Sequence, residues 1–472
     1  MCESAIGMEN ALLSCPKTSS QSREITDTAD AADKLSCPCK WAERVVREGF
    51  EVSVSGDGKR PSVCLVAPGA PSSNPRLVKE ANALAAAGFR VRVVCGTGHS
   101  LGTAFDEGIP VAWKWEFSQL RSRGKWQRFP QVIRQRISAR LAWRGWVRTT
   151  TTSAWAESEF AGRLARAASA EPADIYIGHY LPGLYAAWKA ARCHNAVYGF
   201  DAEDSHVDEL PDTSEFRGRR ESRILLEREL LTGCQHLTAA SPLIAETYER
   251  RYGKRPLTIL NVFPLAETPS DPVQTPYLKG DGPPTLYWFS QTVGSGRGLE
   301  QIVAAMGQMT VPAVLHLRGN PASGYRQRLE DHATACGAGG RVIWHPPAAP
   351  DEMVRIAAGH DLGLALELTD PPNRAICLTN KAFTYLLAGI PTVFSRTPAQ
   401  EWLAHEVGEA SLVADLGDPV SLASQLDEIL INRDRLAGRR ATAWRVGRER
   451  FNWDAEQGVF LRSVRNALGL VA

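Results

Sequence analysis

The stretch Thr379-Asn380-Lys381-Ala382-Phe383-Thr384-Tyr385-Leu386-Leu387-Ala388-Gly389-Ile390-Pro391 decides the fold. A short apolar run, Leu362-Gly363-Leu364-Ala365-Leu366, precedes it by a dozen polar, Pro-containing residues. Phe383, Leu386 and Leu387 then recur at helical spacing. Ala388-Gly389-Ile390-Pro391 stops that helix, and Thr392-Val393-Phe394 opens another strand. The pattern is a βαβ unit with a loop at the carboxyl end of a strand, where open α/β sheets bind ligands. A polar loop feeding a helix N-terminus suits an anion, because free backbone N–H groups and the helix dipole converge there.

The same alternation extends in both directions. Toward the amino end, strands are expected at 285–289, 313–317 and 342–344, with helices at 299–309, 324–336 and 351–358. Residues 264–284 hold six prolines and few large apolar side chains, the composition of an interdomain linker. Before it, strands at 62–67 and 90–94 flank a helix at 76–87. Further strands are expected at 175–177, 196–198, 237–239 and 259–261. Two Rossmann-like halves in tandem, each with a parallel sheet, place a ligand cleft between them.

Composition agrees with a two-domain protein. The 472 residues exceed what one core usually organises, and 44% hydrophobic with 22% charged residues is ordinary for a globular chain. No apolar run reaches membrane-spanning length, and the first twenty residues do not resemble a secretory signal. Ten cysteines are scattered, with only Cys37 and Cys39 close together, so reduced thiols in a cytoplasmic protein are expected and a zinc site is not. Residues 1–60 are polar and are expected to be disordered.

One segment is strongly biased. Between Lys114 and Arg148 there are ten basic residues against one acid, Glu116, interleaved with Trp115, Trp126, Trp143 and Trp146 and preceded by Trp113. This is either a patch that lies on anionic lipid, making the protein peripheral on an inner membrane face, or a solvated helical face whose tryptophans pack inward. The net charge of +2 gives no basis for a nucleic-acid partner.

Ser290-Gln291-Thr292-Val293-Gly294-Ser295-Gly296-Arg297-Gly298 is expected to be a glycine-rich turn. Its backbone amides can approach a phosphate, and Arg297 supplies a charged fork for the oxygens. The spacing differs from the dinucleotide fingerprint, so no nicotinamide site is expected.

Taken in order, these segments resemble a known group. The matching segments are Asn74-Pro75-Arg76 with Lys79-Glu80, Asp174-Ile175-Tyr176-Ile177-Gly178-His179, Phe200-Asp201-Ala202-Glu203-Asp204 and Ala240-Ser241-Pro242 through Asn261. Arg297-Gly298-Leu299-Glu300, Asn380-Lys381 through Pro391 and Phe451-Asn452-Trp453 complete the series. From residue 61 to 465 the chain is similar to GT-B glycosyltransferases, most of all the retaining family 4. The resemblance implies domains at 61–265 and 285–445, a linker at 266–284, and a segment at 446–472 crossing back onto the first domain.

It also implies a nucleotide-diphosphate sugar held by Ser290, Gln291, Arg297, Gly298, Leu378, Thr379, Asn380, Lys381 and Thr384. His179 would sit beside the reacting sugar, with Arg297 as its catalytic companion. Asn74, Arg76, Asp201 and Glu203 would receive a glycan or lipid-linked acceptor. No metal and no cofactor beyond the nucleotide sugar are implied, and the chain has no Asp-x-Asp motif. The departure from the family lies at two positions. Relatives carry paired glutamates where this chain has Ile376 and Thr384. A GT-B epimerase or hydrolase, or a non-catalytic carbohydrate-binding protein, are the alternatives.

Overall fold

A computed structural model describes residues 60–96, 114–120 and 125–470, and for 72 and 125–127 the backbone only. The expected disordered extension, the Cys37/Cys39 pair, Trp113, Arg121 and Arg123 lie outside the described residues.

Two parallel sheets organise the chain. The first contains β1 (Ser62–Ala67), β2 (Arg90–Gly96), β3 (Glu116–Leu120), β4 (Ile175–His179), β5 (Val197–Ala202), β6 (His236–Ala239) and β7 (Leu257–Thr258), in the order β3-β2-β1-β4-β5-β6-β7. The second contains β8 (Thr285–Val293), β9 (Val314–Pro321), β10 (Val342–His345), β11 (Leu362–Ala365), β12 (Thr392–Ser395) and β13 (Ser411–Ala414), in the order β10-β9-β8-β11-β12-β13. In each sheet the strand order reverses once, between β1 and β4 and between β8 and β11. These switch points leave a crevice outside the carboxyl ends of the strands.

Central strands are apolar on both faces because helices cover both. Cys64 and Val66 of β1 face one buried cluster, and Val63 and Leu65 face another. That second cluster is shared by the two halves. It also takes in Tyr287 of β8, Phe383 and Leu386 of the helix Asn380–Ala388, and Trp453 and Phe460 of the helix Trp453–Ala467. The final helix is tied to the first half by Trp453 N–H donating to the Phe263 carbonyl at 2.8 Å and Leu260 N–H donating to Glu456 at 3.0 Å.

Two expectations need correction, and one open alternative divides. Ser290 and Gln291 are not in a turn: β8 continues to Val293, and an irregularity between Phe289 and Thr292 shifts its pairing with β9. The basic segment also divides. Trp115 is buried and donates to Asn82 at 2.9 Å, and the Arg219 guanidinium covers Trp143. Arg128 pairs with Glu159 at 2.9 Å and Arg148 with Glu221 at 3.0 Å. Finally, the last strand of the first sheet is Leu257–Thr258 rather than 259–261.

The quoted helix Asn380–Ala388 starts at Thr379, whose hydroxyl accepts from Lys381 N–H at 3.3 Å, and ends at Gly389 in the left-handed region. It packs on β11 at Gly363, where an added Cβ would lie 2.3 Å from the Tyr385 ring. The Tyr385 hydroxyl donates to the Tyr287 carbonyl at 3.1 Å, tying the helix to β8 as well. Gly363→Ala is therefore expected to lower stability by about 1–3 kcal/mol through overpacking. Equilibrium denaturation that shows no loss would contradict this close approach.

Candidate functional site

The carboxyl ends of β8 and β11 flank the switch point of the second sheet. After β8 the chain turns through Gly296 and Gly298, both in the left-handed region at φ 72° and 74°. Only glycine adopts that geometry at little cost, and a Cβ at Gly298 would also meet Leu416 at 2.9 Å. The turn holds Arg297 partly exposed, 34% of its side chain, with Nη1 4.0 Å from Glu367. Arg374 pins the same turn by donating to the Gly296 carbonyl at 3.0 Å.

From the other side of the switch point comes Lys381, whose Nζ lies 3.8 Å from Glu367. Burial and the Arg297 charge push the Lys381 pKa down, while Glu367 opposes them. Glu367 itself is 6% exposed, and its backbone N–H is held by Ser395 Oγ at 2.8 Å. Two cations thus meet one carboxylate beside a helix N-terminus. That balance leaves positive charge for an anion. Sequence reading passed over Glu367, since its role depends on β8 and β11 being neighbours although far apart in sequence.

Other expected donor residues divide between this site and the core. Gly298 and Leu378 are buried, and Thr379 and exposed Asn380 open the helix. Ser290 is half-buried and Gln291 exposed on β8. Thr384 is fully buried and its hydroxyl donates to the Asn380 carbonyl at 3.0 Å, so it is not presented to a ligand. Ile376 accepts a hydrogen bond from Ser241 Oγ at its carbonyl, 2.6 Å away.

At the switch point of the first sheet lies a buried ionic cluster. Arg76 Nε donates to Asp201, Nη2 donates to the same carboxylate at 3.0 Å, and Nη1 donates to the Ile259 carbonyl at 2.6 Å. Thr238 adds a hydrogen bond to Asp201 at 2.7 Å. His179, at the end of β4, has Nε2 3.2 Å from Glu80 and Nδ1 3.2 Å from Glu203 and 3.5 Å from Asp201. Burial alone would push the His179 pKa down, but Glu80, Glu203 and Asp201 overcome it and raise it to about 10. The Asp201 carboxyl is likewise held down at about 2, with Arg76 and His179 outweighing burial.

Arg76 and Asp201, expected to meet an acceptor, instead satisfy each other and are 1% and 0% exposed. His179 is also without exposed surface and reaches the crevice only through Glu203, whose side chain is 14% exposed. Glu203 accepts from Asn74 Nδ2 at 2.8 Å and from the Tyr180 hydroxyl at 3.4 Å, so Asn74 serves as a positioning group. Among the described residues, Glu80, His179 and Asp201 also bring ligand-type atoms within 4.8 Å of one another. The guanidinium of Arg76 already neutralises that set, 3.4 Å from Glu80, so it does not suit a metal ion.

The two carboxyl-end surfaces oppose each other, because the loops leaving β5 and β11 touch. Asn373 donates to Asp204 at 2.9 Å and accepts from Ser205 N–H at 2.9 Å, and its own N–H donates to the Asp208 carbonyl at 2.9 Å. By contrast, the cavity of about 950 Å³ lined by Arg60, Ser62, Arg90 and Asp174 opens at the amino ends of the first sheet, away from both switch points.

The sequence matches no protein-family model and no curated relative. Solved structures do match. A sucrose-phosphate synthase from Thermosynechococcus elongatus is 16% identical with a TM-score of 0.63, over 87% of this chain and 100% of that one. Anabaena HepE, solved with UDP and glucose, is 14% identical with a TM-score of 0.62, over 86% and 100%. A glycosyltransferase from Rickettsia africae is 10% identical with a TM-score of 0.60, over 87% and 99%. The chain has the GT-B fold. Its two parallel sheets and opposed carboxyl ends are those of that architecture.

Replacing His179 by Ala leaves Glu80 and Asp201 buried with less counter-charge, and a stability loss of about 3–5 kcal/mol is expected. The folded chain keeps a His179 proton that the unfolded chain releases. This contribution is therefore complete below pH 6.5 and is lost as pH rises through about 10. Denaturation curves across that range should show the alkaline loss in the parent chain and a smaller one in the variant. Parallel curves for both would contradict a protonated His179.

Proposed function

We propose that the chain is a glycosyltransferase that moves a sugar from a nucleotide-diphosphate sugar to a glycan or lipid-linked acceptor. The observation that carries this reading is the meeting of Arg297 and Lys381 at one carboxylate beside a helix N-terminus, on the switch point of the second sheet. The GT-B fold supports it, as does HepE, which was solved with UDP and with UDP-glucose.

In the proposed reaction the bond between the anomeric carbon and the diphosphate oxygen breaks. The acceptor hydroxyl oxygen bonds to that carbon on the same face, giving retention. The hydroxyl proton passes to the departing diphosphate oxygen, so no protein carboxylate is needed as base. Negative charge grows on the diphosphate, where Arg297, Lys381 and the helix N-terminus at Asn380 stabilise it more than in the ground state. These cations take the role a metal ion plays in other transferases, so the reaction is proposed to be metal-free. Glu203, fixed by His179, Asn74 and Tyr180, offers an oriented acceptor for sugar hydroxyls.

One observation favours a second reading. Thr384 is spent on its own helix and Ile376 is apolar, so neither replaces a ribose-binding or sugar-binding glutamate. A non-catalytic protein that binds the nucleotide sugar follows if a panel of donors binds without transfer or hydrolysis.

Arg297→Ala is expected to lose a charge-assisted contact of about 1.5–3 kcal/mol, lowering kcat/KM for donor roughly ten- to a hundredfold. Unchanged kinetics would remove Arg297 from the phosphate site. Transfer in the presence of EDTA should equal transfer without it, and a strict metal requirement would overturn the metal-free chemistry.

A further inference from the structure

Part of the basic segment forms one outward face. On the helix Lys125–Trp143, Phe129, Ile133 and Ile137 are 60%, 39% and 54% exposed. At about 100° per residue they share an arc of about 100° with Arg136 and Arg140. Ser138 and Ala142, on the opposite side, are buried. Just beyond the helix, Arg144 and the 63% exposed Trp146 stack at 5.2 Å, followed by exposed Val147. Among the described residues no carboxylate pairs with Arg136, Arg140 or Arg144. These three line a groove of about 820 Å³ that also contains Glu215.

We propose that this face docks the protein on an anionic lipid bilayer. Phe129, Ile133 and Ile137, with Trp146 and Val147, enter the headgroup–acyl boundary. Arg136, Arg140 and Arg144 contact headgroup phosphates. Charge complementarity is laid along an apolar stripe: a water-facing helix has no use for three large apolar side chains in line, and a hydrophobic protein partner would not be matched by three arginines set among them. No helix among the described residues is long and apolar enough to cross a membrane, so the contact is interfacial.

The face is mechanically continuous with the crevice. The helix packs on the helices Thr150–Glu157 and Arg217–Leu231, and a Cβ at Gly218 would sit 1.7 Å from the Trp143 carbonyl. Glu157 then accepts from Arg223 at 2.8 Å, and Arg223 donates to Glu209 at 2.8 Å, on the loop whose Asp204 and Ser205 meet Asn373. Docking would hold that loop at a fixed height over the bilayer.

Vesicle co-sedimentation of the full chain tests it, with phosphatidylcholine vesicles against vesicles also containing phosphatidylglycerol. The parent chain should bind the anionic vesicles, weaken with salt, and be indifferent to inorganic phosphate. Replacing Arg136, Arg140 and Arg144 by Ser should reduce partitioning roughly fivefold per residue, on the order of a hundredfold in all. The triple Lys variant should retain binding. The triple variant Phe129→Ser, Ile133→Ser, Ile137→Ser should also lose binding, with an unchanged thermal midpoint because the side chains are exposed. Equal binding to both vesicle types, competition by inorganic phosphate, failure of the Lys variant to bind, or undiminished binding by either Ser variant would overturn the proposal. So would a shift in oligomeric state on replacing the apolar stripe, which would assign the face to a second copy of the chain.

Discussion

A guanidinium or ammonium group cannot be left without counter-charge in an apolar interior, and the placement of both switch-point crevices depends on meeting that constraint. In the first half Arg76 is buried among the ends of β5, β6 and β7 and is satisfied by Asp201 and the Ile259 carbonyl. Glu80, one turn further along the helix that carries Arg76, and His179 of β4 complete the cluster. One member, Glu203, is left at the surface of the crevice.

The second half solves the same problem incompletely. Arg297 and Lys381 share the single carboxylate of Glu367 at 4.0 and 3.8 Å, looser contacts than those around Arg76. A fully neutralised cluster such as Arg76–Asp201 has nothing further to offer a ligand. A cluster with surplus positive charge and partial exposure does. This contrast separates the element that holds the fold from the one that can bind an anion, although arginine, lysine and acids occur in both.

The alternation of strands and helices was legible because parallel strands covered on both faces are nearly continuous apolar runs, as in Ser62–Ala67 and Leu362–Ala365. The glycines near Arg297 were legible because a left-handed turn demands them. What one sequence conceals is which residues meet across a non-consecutive strand pair. Glu367 gained its meaning from the adjacency of β8 and β11, and Arg76 lost its acceptor role through Asp201, 125 residues away. Trp115 and Trp146 looked equivalent in the sequence. Only tertiary packing buried one and exposed the other.

The most direct measurement of the central claim is calorimetric titration with a nucleoside, its monophosphate and its diphosphate, in chelator, for each common base. If Arg297 and Lys381 form a diphosphate site, one base series should bind with the diphosphate tightest, by at least about tenfold over the nucleoside. Arg297→Ala should remove most of that difference. Equal affinity for nucleoside and diphosphate in every series would contradict the assignment.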